Sequence, residues 1–205
     1  MKAIAPRVGI AVPSGDMVHA DFALSLAGMC HDCGDLPVTV FSNKSSIVAE
    51  GRNSGVAGAL RAEVDFLLFV DSDMIFPRNA LRRLLAHDLD VVGATYAKRV
   101  EPFSALGTAV MPQPTDGPAG LLEMARMPTG CLLIRMAVFA RLAKPYFRFG
   151  IDPATGDILG EDYLFCDQVR AAGMRIWCDP ALSHELGHIG QRVCRLPQQI
   201  GNASP

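Results

Sequence analysis

The chain has 205 residues, of which 50% are hydrophobic and 20% charged, and its formal net charge is −2. This balance predicts a soluble globular protein with a real core, and it argues against the basic surface that binds nucleic acid. No apolar run approaches membrane-spanning length, and Pro6 and Pro13 interrupt any signal-peptide core, so we expect a cytoplasmic location. In that compartment the six cysteines are expected to be reduced.

Strand-like and helix-like segments alternate through the first half of the chain. The predicted strands are 7–13, 36–41, 65–70 and 90–96. The predicted helices are 19–33, 45–62 and 78–87. This alternation predicts a mostly parallel, doubly wound α/β sheet, whose ligands bind beyond the carboxyl ends of the strands.

The second half of the chain is less regular. Extended segments are predicted at 103–111, 120–126, 131–134 and 175–178, and helices at 136–142 and 161–172. Residues 145–160, rich in aromatic residues and glycine, are predicted to form a mobile lid, and residues 196–205 a frayed tail. Because no repeat or linker interrupts the sequence, we expect a single domain over 1–205.

An acidic pair follows the most apolar predicted strand. Asp71 and Asp73 flank Ser72 directly after five apolar residues. Alternate residues of an extended chain point the same way, so the two carboxylates are expected to aim at one point and to repel each other unless a cation lies between them. Oxygen ligands of this kind suit Mg²⁺ or Mn²⁺. The alternative is a pair of solvated loop aspartates.

Two further short motifs have both a structural and a functional interpretation. Glu161 and Asp162 begin a predicted helix, where they serve either as caps or, for Asp162, as an ionised general base. Arg52 and Asn53, on the second predicted helix, either grip a nucleotide base or phosphate or lie on a solvated face.

Residues 184–188 match the His-Glu-x-x-His motif of zinc proteases. That chemistry needs both histidines on one helical face, and Gly187 and Gly190 oppose such a helix. The competing interpretation uses one histidine, preferably His188, as a further ligand for the metal at Asp71 and Asp73. A third interpretation makes His184 an ordinary loop histidine.

Taken in order, these segments resemble the GT-A fold glycosyltransferases, particularly small bacterial and phage members of the family-two-like group. The residues that carry the resemblance are 8–13, Arg52-Asn53, 66–74, Thr129-Gly130-Cys131, 160–162, and Asp179-Pro180 through 188–190. The resemblance implies a single-domain GT-A fold with a Rossmann-like, mostly parallel sheet, flanking helices and a small antiparallel acceptor-side portion. It divides the chain into a nucleotide-sugar-binding half (1–99), an acceptor and catalytic half (100–195) and the tail.

The resemblance also implies roles for individual residues. Asp73 would bind Mn²⁺ (or Mg²⁺) on the diphosphate of a nucleotide-sugar donor, His188 would complete that metal site, and Asp71 would assist the metal or contact the donor. Asp162, with Glu161 beside it, would be the base of an inverting transfer. The remaining donor-binding residues would be Pro13, Asp16, Arg52, Asn53, Ser72 and Arg99.

The expected partners are a nucleotide sugar and an acceptor of unknown class (saccharide, lipid, protein or modified base), with a possible homo-oligomer. Two alternatives to a glycosyltransferase stay open at this point. One is a catalytically inactive nucleotide-sugar-binding module, and the other is a zinc hydrolase that uses His184 and His188.

Overall fold

The computed structural model describes residues 5–153, 155–190 and 193–195. The predicted tail, 196–205, lies outside the described residues. In the described ranges, no helix combines the length and the apolar character needed to cross a bilayer.

The described strands, in chain order, are β1 (Val8–Ser14), β2 (Val38–Lys44), β3 (Phe66–Val70), β4 (Met74–Ile75), β5 (Val91–Gly93), β6 (Thr108–Ala109), β7 (Leu122–Arg126), β8 (Cys131–Arg135), β9 (Gly150–Ile151), β10 (Ile158–Leu159), β11 (Ile176–Cys178), β12 (Gly187–Ile189) and β13 (Val193–Cys194). The helices are α1 (Ala20–Asp32), α2 (Val48–Arg61), α3 (Ala80–Ala86), α4 (Glu161–Ala171) and α5 (Pro180–Ser183). A 3₁₀ helix spans Met136–Arg141.

An eight-stranded sheet in the order β2-β1-β3-β8-β5-β11-β7-β6 forms the centre of the described structure. β2, β1, β3, β5, β11 and β6 run in one direction, whereas β8 and β7 run in the other. Six of the eight strands therefore share one direction, as predicted for a mostly parallel sheet, whereas the four neighbouring pairs that involve β8 or β7 are antiparallel. β3 and β8 are hydrogen-bonded neighbours, so both halves of the chain share this sheet.

Hydrophobic residues cover both faces of the sheet, because alternate residues of β1 and β3 point in opposite directions. One core packs Ile10 and Leu68 against α1 and α3 through residues such as Phe22 and Leu81. The other core packs Phe69 against α2 and α4. A five-residue apolar run such as β3 is what a strand covered on both faces requires.

The glycines of α2 allow this helix to pack closely on the sheet. A Cβ atom at Gly55 would lie 2.9 Å from the Cβ of Ala11 and 3.3 Å from Cε1 of Phe69. A Cβ at Gly58 would lie 3.2 Å from the ring of Phe41. The low helix propensity of glycine is therefore offset by close helix–sheet contact, and the N-terminal turns of α2 are brought to the carboxyl ends of β1 and β2.

The predicted lid is more ordered than an irregular loop. Residues 150–159 contain the β9–β10 hairpin, and Tyr146 and Phe147 are buried. The side chain of Asn53 accepts hydrogen bonds from the backbone nitrogens of Tyr146 (3.0 Å) and Phe147 (3.2 Å). Its amide group donates to the carbonyl oxygens of Ala49 (2.8 Å) and Phe147 (2.7 Å). The start of the segment is thus anchored to α2.

Candidate active site

A cavity of about 280 Å³ lies where β1, β2 and β3 end. Its lining residues are Pro13, Ser14, Gly15, Asn43, Ser45, Ser46, Val48, Gly51, Asp71, Ser72 and Asp73. Carboxyl ends of neighbouring parallel strands are the usual ligand-binding edge of an α/β sheet. Pro13, Asp71, Ser72 and Asp73, all predicted from the sequence, therefore border one cavity.

Asn43 lies two residues beyond the predicted end of the second strand at residue 41, so the sequence pattern did not indicate it. β2 continues to Lys44, and its parallel register pairs Asn43 with Pro13 at the cavity. The Oδ1 atom of Asn43 is buried and has no hydrogen-bond partner among the described residues. A buried carbonyl oxygen without a donor is costly, and this atom lies near Gly55, where α2 packs against the sheet. The signal for Asn43 would have been the parallel alignment of the first two strands, because extending the second strand to match the first carries it past Asn43.

The acidic pair does not continue β3 as an extended strand. The amide of Met74 donates to the carbonyl oxygen of Asp71 at 3.1 Å, which closes a turn over Ser72 and Asp73. Both carboxylates border the cavity from this turn and not from an extended strand, because alternate-residue geometry holds only while the chain stays extended. Each aspartate has its own arginine partner.

Asp71 is paired with Arg52, a buried residue of α2. Arg52 Nη2 lies 2.9 Å from Asp71 Oδ1, and Arg52 Nε donates a 2.9 Å hydrogen bond to Glu161 Oε1. Burial alone would lower the pKa of Arg52, but Asp71 and Glu161 outweigh it and raise that pKa above its ordinary value. Arg52 is therefore not on a solvated face but bridges two acidic residues, and its contact with a nucleotide stays a prediction. Its Nη1 atom is buried without a partner among the described residues.

Asp162 lies in the first turn of α4, beside Glu161. Its Oδ1 accepts a 2.8 Å hydrogen bond from the amide of Tyr163. Burial, and then the charge of Glu161, raise the pKa of Asp162 to about 6. Desolvation therefore outweighs the hydrogen bond from Tyr163 and the nearby charge of Arg52, both of which lower this pKa. At pH 7 the carboxylate is still mainly ionised, and this pKa suits a proton acceptor.

Two other predicted residues have partners away from the cavity interior. Asp16 is exposed and forms a 3.2 Å ion pair with Lys44. Asn53 uses both its amide hydrogens and its oxygen on the backbone, as described above. The hydrogen-bonding capacity of Asn53 is therefore fully used within the protein.

Asp73 and His188 are joined by the guanidinium group of Arg99. Arg99 Nη2 contacts Asp73 Oδ2, and Arg99 Nε donates a 2.9 Å hydrogen bond to His188 Nε2. His188 Nδ1 lies 2.9 Å from the carbonyl oxygen of Ala97, so Nδ1 carries the proton and Nε2 keeps its lone pair. Burial, aided by Arg99, lowers the pKa of His188, which favours the neutral imidazole.

His188 reaches the acidic turn because β12 pairs antiparallel with β4. His188 lies opposite Met74 in this register, and the amide of Ile189 donates to the carbonyl oxygen of Asp73 at 2.7 Å. The helix α5 ends at Ser183, so His184 and His188 do not share a helical face. The zinc-hydrolase interpretation of residues 184–188 is therefore wrong.

A divalent cation fits the donors at this turn. Asp73 Oδ2 and His188 Nε2 are 3.8 Å apart, and the other carboxylate oxygen of Asp73 is buried without a hydrogen-bond partner in the described structure. A carboxylate oxygen and a neutral imidazole nitrogen are ligands that Mn²⁺ accepts. Among the described residues no group of three or more His, Cys, Asp or Glu side chains surrounds a metal position, so further ligands would come from solvent or substrate.

Gly130 is the residue before β8, and its Cα packs closely against the side chains of Tyr96 and Asp71. A Cβ atom there would lie 2.3 Å from Tyr96 Oη and 2.9 Å from Asp71 Oδ2. Gly130→Ala is therefore expected to lower the free energy of unfolding by about 1–3 kcal/mol in urea denaturation. Gly28→Ala is the matched control, because its Cβ would meet only Arg78 Cβ at 3.8 Å. That control should raise the stability by up to about 1 kcal/mol, and equal effects of the two changes would contradict the steric argument.

A second and larger groove, of about 690 Å³, lies between α2 and residues 144–149. Its lining includes Ala57, Leu60, Tyr146 and Phe149, and none of the aspartates that follow β3. Size alone would favour this groove as a ligand site. The smaller cavity is nevertheless the better candidate, because it is lined by Asp71, Asp73 and Asn43 and because the buried Arg52 contacts Asp71.

No protein family and no curated protein matched this sequence. The structure is similar to the crystal structure of A197 from STIV, with a TM-score of 0.59 and 16% identity over 97% of this chain and 98% of that chain. It is also similar to the crystal structure of GalNAc-T7 with UDP, GalNAc and Mn²⁺, with a TM-score of 0.52 and 11% identity over 92% of this chain and 45% of that chain. The fold is that of the GT-A nucleotide-diphospho-sugar transferases, and the predicted fold is confirmed.

Proposed function

We propose that the protein is a glycosyltransferase that moves a sugar from a nucleoside-diphosphate sugar to an acceptor hydroxyl. The observation that carries the proposal is the cavity at the ends of β1, β2 and β3, bordered by the acidic turn 71–73. Its volume of about 280 Å³ is near the lower end of the range for small-molecule sites. The GT-A fold supports this assignment, since GalNAc-T7 with the same fold holds UDP, GalNAc and Mn²⁺.

Apart from the metal ligands, donor binding is proposed to involve residues that contact the nucleoside and, separately, Asp71. Pro13, Asn43 and Ser72 would contact the nucleoside, with Asp16 at the mouth of the cavity. Asp71, held by Arg52, would contact the donor. Asn53 is left out of this set, because its polar atoms already bond to the backbone.

Asp73 and His188 would hold a divalent cation, Mn²⁺ or Mg²⁺, whose charge would stabilise the leaving diphosphate. Arg99, which contacts both residues, would supply further positive charge to the phosphate groups. Arg52 and Glu161 are proposed as positioning residues, since both are buried and bonded to each other. This arrangement would use 1–99 as the donor-binding half of one domain and 100–195 as the acceptor half.

Asp162 is proposed as the general base. Its carboxylate would take the proton of the acceptor hydroxyl while the acceptor oxygen bonds to the anomeric carbon and the carbon–oxygen bond to the diphosphate breaks. Attack from the face opposite the leaving group inverts the anomeric configuration. The pKa of about 6 keeps Asp162 ionised at neutral pH and basic enough to accept a proton.

A thermal-shift screen of nucleoside diphosphates and their sugars, with and without Mn²⁺, tests donor binding. A donor at a hundred times its dissociation constant should stabilise the protein by about 2.7 kcal/mol, which corresponds to roughly 5–10 °C for this chain length. Asp73→Ala should abolish the Mn²⁺-dependent part of that shift, whereas Asp21→Ala, an exposed aspartate on α1, should keep it.

A donor-hydrolysis and transfer assay then separates an enzyme from an inactive binding module. Wild-type protein that binds a nucleotide sugar but releases no sugar with any acceptor would favour the module. Absence of a shift with every nucleotide would contradict the proposed function itself.

A further inference from the structure

Arg99 occupies the position that a divalent cation would take between Asp73 and His188. Its guanidinium contacts Asp73 Oδ2 and donates to Nε2 of His188 at 2.9 Å. These are the same carboxylate oxygen and the same lone pair that would bind a metal. Because the proton of His188 is fixed on Nδ1 by the carbonyl of Ala97, no second lone pair is offered to the turn. A metal and Arg99 therefore compete for the same two atoms.

The Arg99 side chain is free to move away from Asp73 and His188. The Arg99 side chain is 46% exposed, in contrast to the Arg52 side chain at 4%. The Arg99 partners Asp73 and His188 are only 23% and 12% exposed, so the guanidinium is the end of the contact that can move into water while the two ligand atoms stay in place. Arg99 also lies in the segment after β5, outside any strand, near the isolated bridge between Ala97 and Ala105. Movement of its side chain breaks no sheet hydrogen bond.

We propose that Arg99 is an exchangeable internal cation: it neutralises Asp73 while no metal is bound, and an entering divalent ion displaces it. This inference rests on the proposed function for the identity of the metal site. The displaced guanidinium lies next to the cavity, where the diphosphate of a donor is the complementary partner. Metal entry and capture of the diphosphate by Arg99 are thus coupled, so each ligand favours the binding of the other.

Titration of the protein with Mn²⁺ alone, followed by the electron paramagnetic resonance signal of the free ion, tests the exchange. Arg99→Ala should bind Mn²⁺ roughly threefold to tenfold more tightly than the wild type, because a competing charge is removed from both ligands. Lys98→Ala removes an adjacent exposed charge and should change the affinity by less than about twofold. Adding Asp73→Asn to Arg99→Ala should remove the gain. Thermal melting of each variant checks that it is folded.

A second titration with a nucleoside diphosphate present tests the coupling. The nucleotide should tighten Mn²⁺ binding more in the wild type than in Arg99→Ala, because only the wild type can transfer the guanidinium to the phosphates. Equal Mn²⁺ affinity of wild type and Arg99→Ala would overturn the exchange, and the proposed function would stand if the nucleotide still stabilises both proteins. Weaker Mn²⁺ binding by Arg99→Ala would also overturn it. Failure of every nucleotide to bind would instead remove the proposed function.

Discussion

Asp162→Asn is expected to lower sugar transfer by about 10²–10⁴-fold while donor binding stays intact. The amide keeps the shape of the carboxylate and its hydrogen bond from the amide of Tyr163, but it accepts no proton from the acceptor hydroxyl. Transfer is measured as released nucleoside diphosphate, and binding by calorimetry. Asp157→Asn, an exposed aspartate on the hairpin before α4, makes the same chemical change and should keep the activity. Unchanged turnover in Asp162→Asn would remove this residue from the mechanism.

The pKa of Asp162 also sets an expected pH dependence. Because the base works only when ionised, kcat/KM should rise with pH through about 6 and level off above it. The same raised pKa has a cost for folding: the folded protein disfavours the ionised carboxylate, so stability is lost as pH rises from the ordinary value of 3.8 through about 6. Asp162→Asn should therefore melt at a higher temperature than wild type at pH 8, and this gain should vanish below pH 4.

Arg52→Met is expected to lower the free energy of unfolding by about 3–5 kcal/mol, a fall in melting temperature of roughly 10 °C or more. The side chain is buried, and its removal leaves the carboxylates of Asp71 and Glu161 without their common counterion. A single unpaired buried charge costs more than the loss of the pair as a unit. Urea denaturation at pH 7.5 measures the change.

The double variant Arg52→Met with Glu161→Gln is the control for that prediction. It removes one of the two unpaired charges, so it should recover part of the lost stability. Recovery would show that desolvated charge, rather than lost packing over the ring of Phe69, dominates the cost. A double variant no more stable than Arg52→Met would contradict this account.

The alternation of apolar runs and helix-like segments was sufficient for the α/β class and its longer strands, whereas the GT-A fold was predicted from the resemblance of the ordered motifs. The sequence was also sufficient to select Asp71, Asp73 and His188 as candidate metal ligands. The two aspartates follow a strongly apolar strand, and the histidine follows the last predicted strand. Their contacts were not predictable. His188 lies beside the turn at Asp71 and Asp73 because β12 pairs with β4, and these segments are more than a hundred residues apart in the chain.

The contacts of Arg52 were likewise not predictable from the sequence. A charged residue on a glycine-containing helix has the pattern of a solvated face, and only the close approach of α2 to the sheet buries it. Glu161 becomes its partner although the two are 109 residues apart in the chain. Neither propensity nor periodicity records such a contact, because it depends on how two helices are positioned on one face of the sheet.

We expect a nucleoside diphosphate to bind at the carboxyl ends of β1, β2 and β3. Chemical-shift mapping by NMR, with the nucleotide selected by the thermal-shift screen, tests it most directly. The amide signals of Gly15, Ser46 and Ser72 should shift on titration. Shifts confined to Ala57 and Phe149, in the larger groove beside α2, would contradict it.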